Sequence, residues 1–335
     1  MASAADESDG PRRQQCIDVL CGYLRLPYDP GHGNSGRAKL VTTLPLDGGG
    51  ETEEHVEYRQ NDREVRRTII RVIADHLQAG AEFSWSTSDF DFRAARLEDA
   101  AFGGAVFSGR TRFDKATFDG PAGFERATFD GPVGFERATF GGPVAFTGAV
   151  FDHRARFDEA GFDDSASFQE ATFNGDAGFY RATFSGHARF QWAVFTGDSE
   201  FYRATFNGHA RFDNATFHRA GMLRGATFNG HAGFQHVTFN GAAGLGKATF
   251  NGHAEFQQST FNDTAQFDEA VFHGPAGFSG CGSPGRPASR APTSAPSRSS
   301  SKPRHDGARP SGNSTGITTP ERSRRISNRT SGHRR

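Results

Sequence analysis

Cysteine, tryptophan and methionine are scarce in this chain of 335 residues: three Cys, two Trp and two Met. Cys16, Cys21 and Cys281 make no disulfide framework, and such sparse use fits a reducing compartment. No stretch approaches the roughly 20 apolar residues that a membrane-spanning helix needs. Residues 1–10 are acidic and lack the basic and apolar regions of a signal peptide. Phosphate-cradling loops, nucleophile–base motifs and zinc spacings are missing too. These absences point away from an enzyme and toward a cytoplasmic location, with the inner face of the cell membrane as the alternative.

Charge of one sign is also missing overall, since the formal net charge is −1. That figure averages three unlike blocks. Residues 1–100 carry −6. Residues 101–280 hold 14 Lys/Arg against 19 Asp/Glu, and residues 281–335 hold 12 against 2.

What the chain has in plenty is Phe, 34 residues, and Gly, 42. Across 92–278 a large apolar residue returns at alternating steps of five and six, as at Phe107, Phe113, Phe118, Phe124 and Phe129. From Phe102 onward only Leu223 and Leu245 replace Phe at the beat. The eleven-residue unit is typified by Ala116-Thr117-Phe118-Asp119-Gly120-Pro121-Ala122-Gly123-Phe124. An eleven-residue period also suits a helical supercoil. Here a helix is excluded by Gly in nearly every unit, at about 1 kcal/mol each, and by Pro121, Pro132, Pro143 and Pro275, at about 3 each.

A strand-and-turn solenoid uses the same residues well. Residues i and i−2 of an extended chain share a face. The small residue two places before each Phe therefore points inward with it, giving a Phe core filled out by Ala. Gly two places after the first Phe of each unit is expected to supply a positive φ for a type II turn. His153, Asp164 and Asp263 stand in for it, and Arg219 is a poor substitute. His187, His209, His231 and His253 recur every 22 residues, as do Tyr180 and Tyr202. One coil is thus 22 residues with four short sides, and 83–280 makes an all-β quadrilateral solenoid of about eight coils, stacked about 4.8 Å apart. Phe118, Phe129, Phe140, Phe151, Phe162, Phe173, Phe184, Phe195 and Phe206 form its structural core.

The motif of a small residue at i−2 and Phe or Leu at i, strict in Ala100-Ala101-Phe102-Gly103-Gly104, resembles the pentapeptide-repeat family. That resemblance implies a right-handed quadrilateral β-helix. The segments RQQCIDVLCGYLRLPYD (13–29) and EYRQNDREVRRTIIRVIADHL (57–77) resemble a module that precedes such repeats in actinobacterial proteins of unassigned function, some with a membrane segment upstream.

Outside the repeats, 1–12 is expected to be disordered and 13–26 to be a helix with Ile17, Leu20, Cys21 and Leu24 on one face. Residues 27–55 read as a loop. A second helix over 63–79, capped by Asn61 or Asp62, carries Val65, Ile69, Ile70, Val72, Ile73 and Leu77. Together these form a helical module over 13–82 that covers the open end of the solenoid. Residues 281–335 are rich in Ser, Pro and Arg, a composition that buries no core and predicts a disordered basic tail.

Candidate sites are few. The four His could share a metal ion, but their column also accepts Pro121, Pro143 and Pro275, which marks an exposed corner; no cofactor is implied. Asp158, Glu159, Asp163, Asp164, Glu170 and Asp176 cluster without a pocket. Tyr180, Trp192 and Tyr202 read as a partner-binding patch along one side. The expectation is a non-enzymatic scaffold for an unidentified protein partner, with nucleic acid reached only through the basic tail and a second copy through the uncapped C-terminal coil. The family resemblance adds two alternatives, a DNA mimic acting on a type II topoisomerase and a membrane-associated signalling or stress component.

Overall fold

A computed structural model of the chain describes residues 2–8, 10–28, 39–45, 51–57 and 62–282. The tail expected beyond 282 lies outside these residues. The 22-residue period is realised as a right-handed, four-sided β-solenoid of about nine coils. Each coil lays down four two-residue strands. The first face starts at Phe90–Asp91, the second at Arg96–Leu97, the third at Ala100–Ala101 and the fourth at Val106–Phe107. Three faces hold nine strands and the fourth holds eight. Pairing is parallel and one coil apart, Thr128 with Val150 and Phe129 with Phe151.

The core is the expected one. Phe118, Phe129, Phe140, Phe151, Phe162, Phe173, Phe184, Phe195 and Phe206 are all buried. Each ring lies parallel to the ring one coil on. Phe162 and Phe184 have centroids 4.5 Å apart at 1°, and Phe173 and Phe195 lie 4.9 Å apart at 1°. Neighbouring columns meet edge to face, as Phe168 meets Phe179 at 5.5 Å and 89°. Both arrangements suit the aromatic quadrupole. Ala138, Ala149, Ala171 and Ala182 fill the space between columns.

The turns differ from expectation. The left-handed residue is the second after a Phe at the other turn of the unit, as at Lys115 (φ 59), Arg126 (φ 55) and Arg137 (φ 57). Gly104, Gly148 and Gly225 take the same place in other coils. The turn closes with the Ala127 N–H donating to the Phe124 carbonyl at 3.1 Å. The glycines thought to supply positive φ do something else. A Cβ on Gly131 would stand 2.3 Å from the Gly109 carbonyl oxygen, and one on Gly208 would stand 2.3 Å from that of Gly186. Close stacking of one corner on the next favours Gly at this place, which His153, Asp164, Arg219 and Asp263 fill with a side chain in four coils. His153, Asp164, Arg219 and Asp263 are accordingly not in the left-handed region.

The N-terminal module is built from α1 (Ala2–Asp6), α2 (Gly10–Leu24), the antiparallel hairpin β1 (Lys39–Pro45) with β2 (Glu51–Glu57), and α3 (Asp62–His76). Two expectations fail here. Residues 2–6 are helical because Ala5 is buried and the Trp85 indole N–H donates to Asp6 at 3.0 Å. Part of 27–55 is a hairpin, in keeping with the Val-Thr-Thr run at 41–43 that favours extended chain. Ile17, Cys21, Leu24, Ile69, Ile70, Ile73 and Leu77 are buried, whereas Val65, counted in the apolar stripe, is exposed. The module covers the first coil's edge: Val106 N–H donates to the Leu77 carbonyl at 2.7 Å and Ser108 N–H to Ser86 at 2.7 Å. Its pivot is buried Arg66, which donates to the Leu24 and Leu26 carbonyls at 2.9 Å each, pairs with Asp62 at 3.5 Å and lies over the Tyr28 ring.

Two stability measurements follow. Gly131→Ala is expected to lower the melting temperature sharply, because backbone rather than a flexible side chain blocks the added methyl. Arg126→Gly, which relieves a left-handed residue at about 1 kcal/mol, is expected to leave it unchanged or raise it. The opposite ranking in a thermal melt would contradict this division of labour. Arg66→Ala removes the cation from buried Asp62 and the donor from the Tyr23, Leu24 and Leu26 carbonyls, and should cost about 3–5 kcal/mol in denaturant unfolding; a loss below about 1 kcal/mol would show that Arg66 does not hold the module.

Candidate interaction surface

With Phe and Ala turned inward, every second residue is turned out, and the coil register stacks these into columns. Each coil adds one member to each column, so a side chain's neighbours are those 22 residues away. Amide ladders result. Asn229 donates to Asn207 and Asn251 to Asn229, both at 2.7 Å, and Asn262 donates to Asn240 at 2.7 Å.

The four histidines do form one column, at the turn between the second and third faces. His187 and His209 stack at 4.8 Å and 5°. His209 and His231 meet edge to face at 6.0 Å, and His231 and His253 are tilted at 6.4 Å. The backbone N–H of His209 donates to His187 Nδ1 at 3.2 Å, and that of His231 donates to His209 Nδ1 at 3.0 Å. In these two rings the Nδ1 lone pair is therefore taken, and the proton sits on Nε2. A metal at Nε2 would require the other tautomer, which would aim Nδ1–H at a backbone N–H. His231 Nε2 instead lies 3.0 Å from Glu255. Among the described residues no group of three or more His, Cys, Asp or Glu is placed to hold a metal ion.

The aromatic patch divides. Tyr180 and Tyr202 stack at 5.8 Å and 9° on the turn between the first and second faces, with the Arg181 and Arg203 guanidinium groups 5.4 and 5.1 Å from their ring centres. Trp192, 60% exposed, is on the turn between the third and fourth faces. It stands half a coil from Tyr180, and half a turn of a four-sided tube places it diagonally opposite.

Of the clustered acidic residues, Asp158, Glu159 and Asp176 are paired with arginines. Arg154 meets Asp176 at 3.3 Å, Arg156 meets Glu136 at 2.7 Å and Asp158 at 3.7 Å, and Arg137 meets Glu159 at 2.8 Å. A shallow charged hollow of about 140 Å³ remains among Arg154, Arg156, Asp158, Asp176 and Glu200. Partial burial and the neighbouring Asp114 push Glu136 up to about 7, which Arg156 opposes. A larger charged cleft of about 380 Å³ lies between α2 and the first coils, lined by Gln14, Asp18, Arg25, Asp89, Asp91 and Arg112. Arg25 is spent on Asp91 at 3.2 Å there, and Gln14 on the Asp89 backbone at 2.8 Å. Burial pushes the Cys21 thiol up to about 12, so it packs rather than reacts.

Comparison with protein families matches pentapeptide repeats (9 copies) to residues 113–161, 162–205, 193–238 and 234–282. The chain belongs to the pentapeptide-repeat proteins. Comparison with curated proteins and with solved structures gives no match. The pentapeptide-repeat matches begin inside the second coil and leave the helical module outside them.

One group of cations escaped the sequence reading. Arg181, Arg203 and Lys247 share a column at the edge of the second face, with Arg224 one residue before the place that Gly225 takes in it, beside a column of Thr183, Thr205, Thr227 and Thr249. The signal was present in the 22-residue period, which carries basic residues at this turn through four successive coils.

The histidine column should make stability pH-dependent. Partial desolvation first, then the charges of protonated His187 and His231 and of Arg211, hold His209 below its ordinary value. The folded state thus favours neutral His209. Its contribution is complete above an ordinary histidine pKa of about 6.5 and is lost as pH falls toward the depressed folded value. His209→Gln, with a neutral side chain, is expected to shrink the drop in melting temperature between about pH 7.5 and pH 5 relative to wild type. Parallel pH profiles for the two proteins would contradict this assignment.

Proposed function

We propose that this pentapeptide-repeat protein is a non-enzymatic scaffold that binds a protein partner along the side of its rod. The observation that carries the reading is the filled interior. Phe and Ala occupy it coil after coil, so recognition falls to the outer columns. The hollows are lined by ion pairs already satisfied within the chain. The exposed Trp192 and the stacked Tyr180 and Tyr202 are residues of the kind that anchor protein interfaces.

Mimicry of DNA has less support. It needs a continuous negative surface, and Arg181, Arg203 and Arg224 interrupt it. Membrane association has no support from a span either, since no helix among the described residues is long and apolar enough to cross a membrane.

Affinity capture with the immobilised full chain is expected to retain a discrete partner, and substitution on one side alone, Tyr180→Ala with Tyr202→Ala or Trp192→Ala, should release it. A partner held equally by both variants, or nothing held above a blank support, would count against the reading.

A further inference from the structure

The second face changes character along the rod. Over 180–187, 202–209, 224–231 and 246–253 there is no Asp or Glu. Arg181, Arg203 and Lys247 hold the second place of their stretches, in one column; Arg224 stands one residue earlier, in the column of Tyr180 and Tyr202, with Gly225 in the cation column, and every stretch runs on through Thr and Ser or Asn to a His. The four cations are exposed. Among the described residues, Arg181, Arg203 and Arg224 have no carboxylate within 4.0 Å, while Lys247 meets Glu269, itself largely exposed, at 3.3 Å. Arg181 and Arg203 are held in place by the Tyr180 and Tyr202 rings. Asn229 and Asn251 are fixed by the amide ladder. The face therefore offers an ordered row of positive charge beside a row of hydroxyls.

Acid brackets this row at both ends. Asp163 and Asp164 stand on the coil before it, beside Asp158 and Glu159 that are engaged by Arg156 and Arg137, and Asp268 stands on the coil after it, beside the Glu269 that Lys247 meets. A long polyanion laid along the rod would run onto those carboxylates. The bracket limits an anionic ligand to four coils, about 14 Å from first cation to last at a rise of about 4.8 Å. Carboxylates on one side of an α-helix, at every third or fourth residue, recur about every 5.4 Å, so four of them span about 16 Å. Alternate residues of an extended strand are about 6.8 Å apart and lose register sooner. Duplex phosphates follow at about 3.4 Å per strand and do not stop at the bracket.

We propose, resting on the scaffold reading, that the second face from Arg181 to His253 docks a short acidic α-helix of the protein partner. Carboxylates one turn apart meet Arg181, Arg203 and Lys247 in one column and Arg224 in the column beside it. Thr183, Thr205, Thr227 and Thr249 donate hydrogen bonds to the same oxygens. The flanking acidic coils repel anything longer and set the helix's position along the rod.

The test uses the full chain and a synthetic helical peptide of about four turns with Glu at every third or fourth position. Fluorescence anisotropy compares it with its Gln counterpart and with a single-stranded oligonucleotide. The Glu peptide should bind the wild type at least about tenfold more tightly than the Gln peptide, and salt should weaken it. The triple variant R181Q/R203Q/R224Q, checked by circular dichroism and melting, should lose about tenfold; Gln258 already occupies at another turn the left-handed place that Arg181 and Arg203 hold here. Equal binding by variant and wild type would overturn the proposal, because the charge that matters would then lie elsewhere, the basic residues beyond 282 included. Tighter binding of the oligonucleotide, lost in the variant, would overturn it in favour of nucleic acid. If the peptide fails while the capture experiment with the aromatic variants succeeds, the acidic helix falls and the scaffold stands. If both fail, both fall.

Discussion

Everything in this rod depends on one coincidence of lengths. Parallel strands sit about 4.7–4.9 Å apart, and aromatic rings stack favourably at much the same separation. A Phe placed at the same point of every coil therefore stacks on its predecessor without bending the backbone that carries it. The centroid distances, 4.6 Å for Phe151–Phe173 and 4.9 Å for Phe140–Phe162, show both repeats satisfied at once. Two Leu at the beat, Leu223 and Leu245, stay buried and drop the stack without interrupting the strands beside them.

That shared repeat has consequences outside the core. It brings corners so close that Gly fills most of the places where one carbonyl faces the next coil. It also turns the surface into columns, since any outward residue type repeated in the sequence becomes a ladder in space. Asn ladders, the stacked Tyr pair and the His column share this origin. Their order is inherited from the interior. A surface of this kind suits partners with a repeat of their own, and a solid interior leaves recognition to the outer residues.

The architecture was legible because its signal is redundant: dozens of units vote on the same period, and a Phe core needs no long-range information to be recognised. The coil length came from His187 and Tyr180 through their partners 22 residues on. The role of glycine was misread because a turn and a close approach select the same residue, and only coordinates separate a positive φ at Arg126 from a crowded carbonyl at Gly131. Trp192 was misplaced for a related reason. Nearness in sequence stands for nearness in space only within one side of the coil. The hairpin β1–β2 was missed because Pro45 and the acidic run of β2 read as loop, and helix α1 because it is short and held by contacts with distant residues such as Trp85. The cations Arg181 and Arg203 are 22 residues apart in the chain and neighbours in space, a relation the coil register makes plain.

The stacked aromatic core is tested most directly at mid-rod by Phe173→Ala, followed by equilibrium denaturation and hydrogen exchange. Removing a ring sandwiched between Phe151 and Phe195 should cost about 3–5 kcal/mol and open amides on the neighbouring coils while the helical module stays protected. A cost below about 1 kcal/mol, with exchange unchanged around 151 and 195, would mean that the rings do not hold the coils together.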